Sequence, residues 1–406
     1  MKNPPKPLAP PAKLLIGLLC ACLLAMAGVL ALSAQASSTS RAGTTTPAGT
    51  TTPAGTITRT LMVSGAAPGL HVSGNGLFAA DGRRVVLRGV NRAGGEYACV
   101  QGQGIWDGPM DQASITAMKS WGVNAVRVPL NEACWNGESY VQAQYRGANY
   151  RRAVEAYVQL LNRNGIVAIL DLHWTDGLYT GRQAHCGTAE AVCQKPMPDT
   201  AQSIPFWISM AQTFKKNDAV IFDVFNEAYP ERVGAGVTRF EGWRCWLRGG
   251  SFCPGSVYHY RVAGMQSLVT AIRSTGARNV ILVGGVAYAD DLSGWLRHAP
   301  RDPYRNLAAS WHTYNWNRCI TQSCWNSQVA PVIAKVPVVV GEMGENDCAD
   351  TLLKPLMRWL DARSGSYLAW AWNTASCSAG PSLITSYSGG QTPYGAGYRS
   401  HLLSLK

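Results

Sequence analysis

The chain has no Cys-x-x-Cys pair and no His-x-x-x-His pair, and its seven histidines are dispersed. The ligand spacing of a zinc or similar metal centre is therefore missing. It also has no block of five or six like charges: the lysines and arginines behind the formal net charge of +12 stand singly or in pairs. That is a basic surface rather than a nucleic-acid footprint. A phosphate loop is lacking too. Residues 88–95 (Arg88-Gly-Val-Asn-Arg-Ala-Gly-Gly95) hold glycines without the G-x-G-x-x-G spacing of a dinucleotide-binding fold. No cofactor, metal or nucleic-acid partner is expected.

What the sequence does have begins at its N-terminus. Lys2, Lys6 and Lys13 precede an uncharged apolar stretch over 14–32, and Ala34-Gln-Ala36 supplies the small-x-small pattern of a signal-peptidase site. Residues 1–36 read as a signal peptide. The stretch approaches the ~20 residues that span a bilayer, so the alternative is an uncleaved anchor through 14–33 with the bulk of the chain outside. Secretion is expected, with a membrane-anchored, outward-facing protein as the alternative. Residues 37–60 are mostly Ser, Thr, Ala, Gly and Pro with a near-repeat over 44–50 and 51–56, too polar to bury a core, and read as a linker.

Of twelve cysteines, Cys20 and Cys22 fall in the export segment; the remaining ten, an even number, suit disulfides in an oxidising compartment. Proximity in sequence pairs Cys186 with Cys193, Cys245 with Cys253 and Cys319 with Cys324 as loop staples. Cys99 with Cys134 and Cys348 with Cys377 are expected to join neighbouring loops.

Residues 61–406 remain for the folded domain, expected to act as a monomer. A hairpin is expected where 69–73 and 77–80 flank Gly74-Asn-Gly76. Short apolar, β-branched runs then recur at 85–90, 125–130, 167–172, 219–225, 280–283, 307–312, 336–341 and 367–372. Amphipathic helical runs fill the gaps: Asp111 caps one that Gly122 stops, and others carry Val154 to Leu161, Phe206 to Phe214, Val262 to Ile272 and Leu353 to Leu360. Eight strands alternating with helices imply parallel pairing through right-handed crossovers and closure of the sheet. The expected fold is α/β, a (β/α)8 TIM barrel with a short N-terminal β-hairpin.

Barrel chemistry projects from the C-terminal strand ends. Two such ends carry glutamates: Glu227 in Ile221-Phe-Asp-Val-Phe-Asn-Glu227 and Glu342 in Pro337-Val-Val-Val-Gly-Glu342. Asn91, Arg127, His173 with Trp174, Asn226, His312 with Tyr314, and Trp372 with Asn373 stand at or near other ends. Two carboxyl groups in one cleft suit hydrolysis of a glycosidic bond, one as proton donor and one as nucleophile or base. Asp171 and Asp223 lie inside their strands and read as supporting groups. Glu345 falls beyond its strand end, and Asn91 reads equally well as a turn residue. Among the tryptophans, Trp106, Trp135, Trp174, Trp316 and Trp325 fall on loops after strands and are candidate sugar platforms, whereas Trp121, Trp207 and Trp359 fall in helical patterns and read as core.

These residues, in this order, resemble glycoside hydrolase family 5, the cellulase family within clan A of barrel glycosidases, over roughly residues 68–400. The resemblance implies Glu227 as acid/base after Asn226, Glu342 as nucleophile, and Arg127, His173, His312, Tyr314 and Trp372 as their supporting ring. An exported retaining β-glycosidase acting on β-linked polysaccharide or oligosaccharide is expected, with endo-β-1,4-glucanase foremost. β-Mannanase, an exo-acting β-glucosidase or mannosidase, and a transglycosylase are the enzymatic alternatives; a non-catalytic carbohydrate binder is the alternative of another class. The long loops over 131–149, 175–203, 229–257 and 375–398 would select the sugar.

Overall fold

The computed structural model describes residues 65–177, 194–234, 236–254, 258–378 and 380–406. The export segment, the linker and the expected Cys186–Cys193 pair lie outside the described residues. Among those described, no helix is long and apolar enough to cross a membrane.

Eight parallel strands close into a barrel. In chain order they are β1 (Arg88–Asn91), β2 (Ala125–Asn131), β3 (Val167–Trp174), β4 (Val220–Asp223), β5 (Ile281–Gly284), β6 (Leu307–Tyr314), β7 (Val338–Gly344) and β8 (Ser366–Ala369). Each pairs with the next, β8 pairs with β1, and β7 joins both β6 and β8. The expected barrel is therefore observed.

Both faces of these strands are buried, so their sequences are apolar almost throughout. The side chains nevertheless separate by parity into two cores. Val126, Val128, Leu130, Ala168, Leu170, Leu172, Val220 and Phe222 pack outward under the helices. Ala125, Val167, Ile169, Ile221, Leu282, Ala308, Val339 and Leu368 fill the barrel axis. Continuing the inward parity toward the C-terminal ends reaches Arg127 on β2, Asp171 and His173 on β3, Asp223 on β4, and Ser310, His312 and Tyr314 on β6. The same alternation that builds the core thus delivers polar groups to one mouth.

The N-terminal hairpin is a three-stranded antiparallel sheet: Leu70–Ser73 pairs with Gly76–Ala79, which pairs with Arg84–Val85. The single strand expected over 85–90 is split between this sheet and β1. Leu70, Leu77, Val85 and Leu87 join the axial core, so the sheet plugs the end of the barrel opposite the polar mouth. The last strand is shorter than the expected 367–372, ending at Ala369.

The helix Gln112–Ser120 starts where expected, with the Asp111 carboxylate accepting from Ser114 N, and Gly122 follows it at φ +88°. The run beginning at Val262 becomes helical only at Met265, Val262 pairing instead with Asp199. Disulfides Cys99–Cys134, Cys245–Cys253, Cys319–Cys324 and Cys348–Cys377 are formed, each as proximity suggested.

Candidate active site

Arg127, wholly buried, is the hub of the mouth. Its Nη1 donates to Glu342 Oε1 at 2.7 Å and to Asn91 Oδ1 at 3.1 Å, its Nη2 to Asn226 Oδ1 at 2.8 Å, and its Nε to Asp223 Oδ2 at 2.9 Å. Asp171 Oδ1 lies 2.9 Å from Nη2. One guanidinium cannot offset three buried carboxylates. Burial, only partly countered by Arg127, pushes Asp171 and Asp223 up to about 8. Burial also drives His173 down to about 3. His173 Nδ1 lies 2.7 Å from Asp171 Oδ2, so near neutral pH this pair shares one proton and carries no net charge. Asn91 does more than close a turn, since its Nδ2 donates to Gly341 O at 2.9 Å, next to Glu342.

Glu342 reaches the mouth through a bulge. The pairing of β7 with β6 shifts register between Val340 and Glu342, which re-aims the following side chain inward. A Cβ on Gly341 would lie 2.8 Å from Ser310 Oγ and 2.9 Å from His312 Nε2, so only glycine leaves His312 its place. Tyr314 OH donates to Glu342 Oε2 at 2.5 Å. With Arg127 on the other oxygen, both carboxylate oxygens meet donors that stabilise negative charge.

Glu227 faces the pair from beyond β4. His312 Nδ1 lies 3.1 Å from its Oε1 and 3.7 Å from Glu342 Oε2. Burial first, and then the charge of Glu342, raise Glu227 well above the ordinary carboxyl range. Burial and the Arg127 cation hold His312 far below its usual value, hence neutral. One oxygen of each glutamate and one His312 nitrogen lie within 4.8 Å of one another, the one such grouping of potential metal ligands among the described residues. The guanidinium 2.7 Å from Glu342 opposes a second cation there.

The cleft above these groups measures ≈ 490 Å³ and is walled by His173, Asn226, Glu227, Tyr314, Trp316, Glu342 and Trp370, with Arg232, Tyr288, Asp290, Asn317 and Arg318 on the side of the loops after β4, β5 and β6. Trp316 is 54% exposed and stacks on Tyr314 at 4.5 Å. Trp372 is a correction: it is fully buried, edge-on to Trp121 at 4.8 Å. The residue in the cleft is Trp370, whose ring stacks on His173 at 5.3 Å. Because β8 ends at Ala369, the first residue past it faces the mouth and Trp372 has already turned into the helical layer. Trp174 stands apart from the cleft wall, its ring 6.2 Å from Tyr97. Trp135 and Trp325 are buried and Trp106 packs against Tyr150 and Tyr157, so of the proposed loop platforms only Trp316 lines the cleft.

Sequence reasoning missed Tyr288 and Asp290, which line the cleft. Tyr288 sits in a turn where Ala287, Tyr288 and Ala289 are all left-handed, at φ 57°, 62° and 57°. That turn is held by Tyr288 N donating to Ala228 O and His312 N donating to Ala289 O. None of the three is Gly or Asn, and Gly284-Gly285 just upstream marks a turn without placing Tyr288 in the cleft.

The family model described as Cellulase (glycosyl hydrolase family 5) matches residues 78–376. The chain is 24% identical over 302 residues to a β-mannanase/endoglucanase A of Caldicellulosiruptor saccharolyticus, covering 71% of this chain but only 19% of that protein's length. It is 20% identical over 320 residues to a mannan endo-1,4-β-mannosidase of Salipaludibacillus agaradhaerens, covering 75% of this chain and 81% of that protein. A β-glucanase of Saccharophagus degradans, solved alone and with cellotetraose, shares the fold at a TM-score of 0.62 and 18% identity, over 84% of this chain and 94% of the other. With the matched region spanning the strands that carry both glutamates, the chain belongs to the cellulase family, glycosyl hydrolase family 5, and is a glycoside hydrolase.

Proposed function

We propose that the protein is an exported, retaining endo-β-1,4-glucanase of cellulase type that cleaves β-linked polysaccharide by double displacement. The observation that carries this reading is the approach of Glu227 and Glu342 oxygens to within 4.8 Å. Carboxyl groups about 5–5.5 Å apart suit a covalent glycosyl-enzyme, while inverting enzymes need a wider gap for water. Glu227, holding its proton, donates it to the glycosidic oxygen as the bond to the anomeric carbon breaks. Glu342 attacks that carbon and forms the glycosyl ester. Glu227, now ionised, takes a proton from water, which attacks the same carbon and releases Glu342. Arg127 and Tyr314 orient the nucleophile, neutral His312 orients the acid, and Asn226 is suited to the sugar 2-hydroxyl. Trp370 offers a flat face for a pyranose.

Export is proposed from the N-terminal segment, and the four disulfides fit an oxidising compartment. A β-mannanase is the second reading, favoured by the mannan-directed names of two relatives. The test compares product profiles on carboxymethyl-cellulose, glucomannan, galactomannan, xylan and laminarin, with the anomer released followed by early-time NMR. Short oligosaccharides from the cellulose derivative with β configuration retained are expected. Preference for galactomannan selects the mannanase, and an inverted anomer overturns the double displacement. Glu342→Gln is expected to lower turnover at least about 10³-fold on any hydrolysed substrate; wild-type rates would remove Glu342 from the mechanism.

A further inference from the structure

The backbone that carries Glu227 lies past the end of its strand. β4 stops at Asp223, and although Val224 N and Asn226 N still donate to Leu282 O and Leu172 O at 3.1 and 3.0 Å, the Glu227 peptide makes no backbone hydrogen bond to a barrel strand among the described residues. Gln194 supplies its partner. Its Oε1 accepts from Glu227 N at 3.2 Å and from Asn226 Nδ2 at 3.0 Å, and its Nε2 donates to Glu227 O at 2.5 Å. The side-chain amide thus pairs with both backbone groups of Glu227, as a neighbouring strand would.

The clamp is itself anchored. Lys195 N donates to Thr175 Oγ1 at 2.8 Å, and buried Lys195 and Asp199 form an ion pair at 2.7 Å. Tyr229 N donates to Pro196 O at 3.0 Å and Tyr229 OH to Gln194 O at 3.3 Å, so residues 194–196 dock along 227–229. Asn226 is held at both ends, Oδ1 by Arg127 and Nδ2 by Gln194.

We propose that Gln194 is a positioning residue for the acid step, fixing the backbone of Glu227 so that its carboxyl meets the glycosidic oxygen, while Arg127 still holds Asn226. The proposal rests on Glu227 being the proton donor. A group that only aims the acid matters when the leaving group needs a proton and little when it does not. Since kcat/KM reports events up to the first irreversible step, comparing leaving groups isolates that role.

The experiment measures kcat/KM of the full chain and its Gln194→Ala, Gln194→Glu and Glu227→Ala variants on cellotetraose and on 2,4-dinitrophenyl β-cellobioside, or the manno-series if mannan is the substrate. Gln194→Ala is expected to lose about 30-fold or more on the tetrasaccharide and less than about threefold on the aryl glycoside. Gln194→Glu keeps the acceptor but sets a carboxylate oxygen against Glu227 O; it is expected to show at least as large a loss with the same selectivity and, from its added negative charge, an alkaline limb moved to higher pH. Equal losses on both substrates, or none on either, overturn the proposal, and if Gln194→Ala fails to fold the Gln194→Glu result decides. Selective loss in Glu227→Ala beside unselective Gln194 variants overturns this proposal alone. An unselective Glu227→Ala overturns the acid assignment and this proposal with it.

Discussion

Trp370 and Trp372 differ by one turn of backbone and by everything that matters to a sugar. Trp370 presents a face to the cleft over His173, while Trp372 is sealed against Trp121. Trp370→Ala is therefore expected to lower kcat/KM about tenfold, the equivalent of ~1.4 kcal/mol of stacking, with little change in melting temperature. Trp372→Ala should do the reverse, losing stability by about 3–5 kcal/mol; kinetics and calorimetry on both variants check the assignment. The buried acids set the pH response. Glu227 is raised, so activity should fall as pH rises through its folded value. Asp171 and Asp223 titrate near 8 folded and about 3.9 unfolded. A raised folded value means the native state holds more protons between those limits, so their contribution to stability is complete at low pH and is lost as pH rises through about 8. His173 runs the other way, with its folded value near 3; its contribution is lost as pH falls, and above about 6.5 the ring is neutral in both states. The melting temperature should accordingly decline from pH 6.5 to 8.5, and Asp223→Asn should flatten that decline; an unchanged slope would deny Asp223 its proton.

The bulge in β7 turns an ordinary strand into one that aims the Glu342 carboxylate into the mouth. Gly341→Ala would press a methyl group against Ser310 and His312, at an overpacking cost of about 1–3 kcal/mol. Moving His312 away from Glu227 should cost about 10²-fold in turnover, and an alanine variant with normal kcat would show that the glycine is incidental. All eight strands and both glutamate-bearing ends were legible in the sequence, because buried parallel strands read as apolar runs and barrel chemistry lies at their C-terminal ends. Strand lengths were less so. The 85–90 run has no turn residue pair to break it after Val85-Val-Leu87, and only pairing partners, Leu77 and Phe78 for one half and β2 and β8 for the other, divide it. A run taken to reach 372 puts Trp372 at the strand end, whereas the strand stops at Ala369 and Trp370 is the ring in the cleft. Gln194 and Tyr288 lie on loops without periodicity, and their placement depends on contacts made by distant segments.

The barrel encloses its own core, whereas its mouth is built from loops that must be held by other means. Two disulfides tie adjacent loops at that end: Cys99–Cys134 joins the segments after β1 and β2, and Cys348–Cys377 those after β7 and β8. The other two close loops of 8 and 5 residues. In the chain-entropy account, stabilisation grows with the logarithm of the loop closed, giving about 4 kcal/mol for Cys99–Cys134 with its separation of 35 and about 2 kcal/mol for Cys319–Cys324. The axial plug formed by Leu70, Leu77, Val85 and Leu87 lies at the other end of the strands, so neither bond is needed to close the core. Removing Cys99–Cys134 by a double alanine substitution should therefore lower the urea midpoint more than removing Cys319–Cys324, while the cooperative far-ultraviolet transition of the barrel persists in both. Equal midpoints in the two variants would mean that the bonds act through native-state packing and not through the unfolded chain.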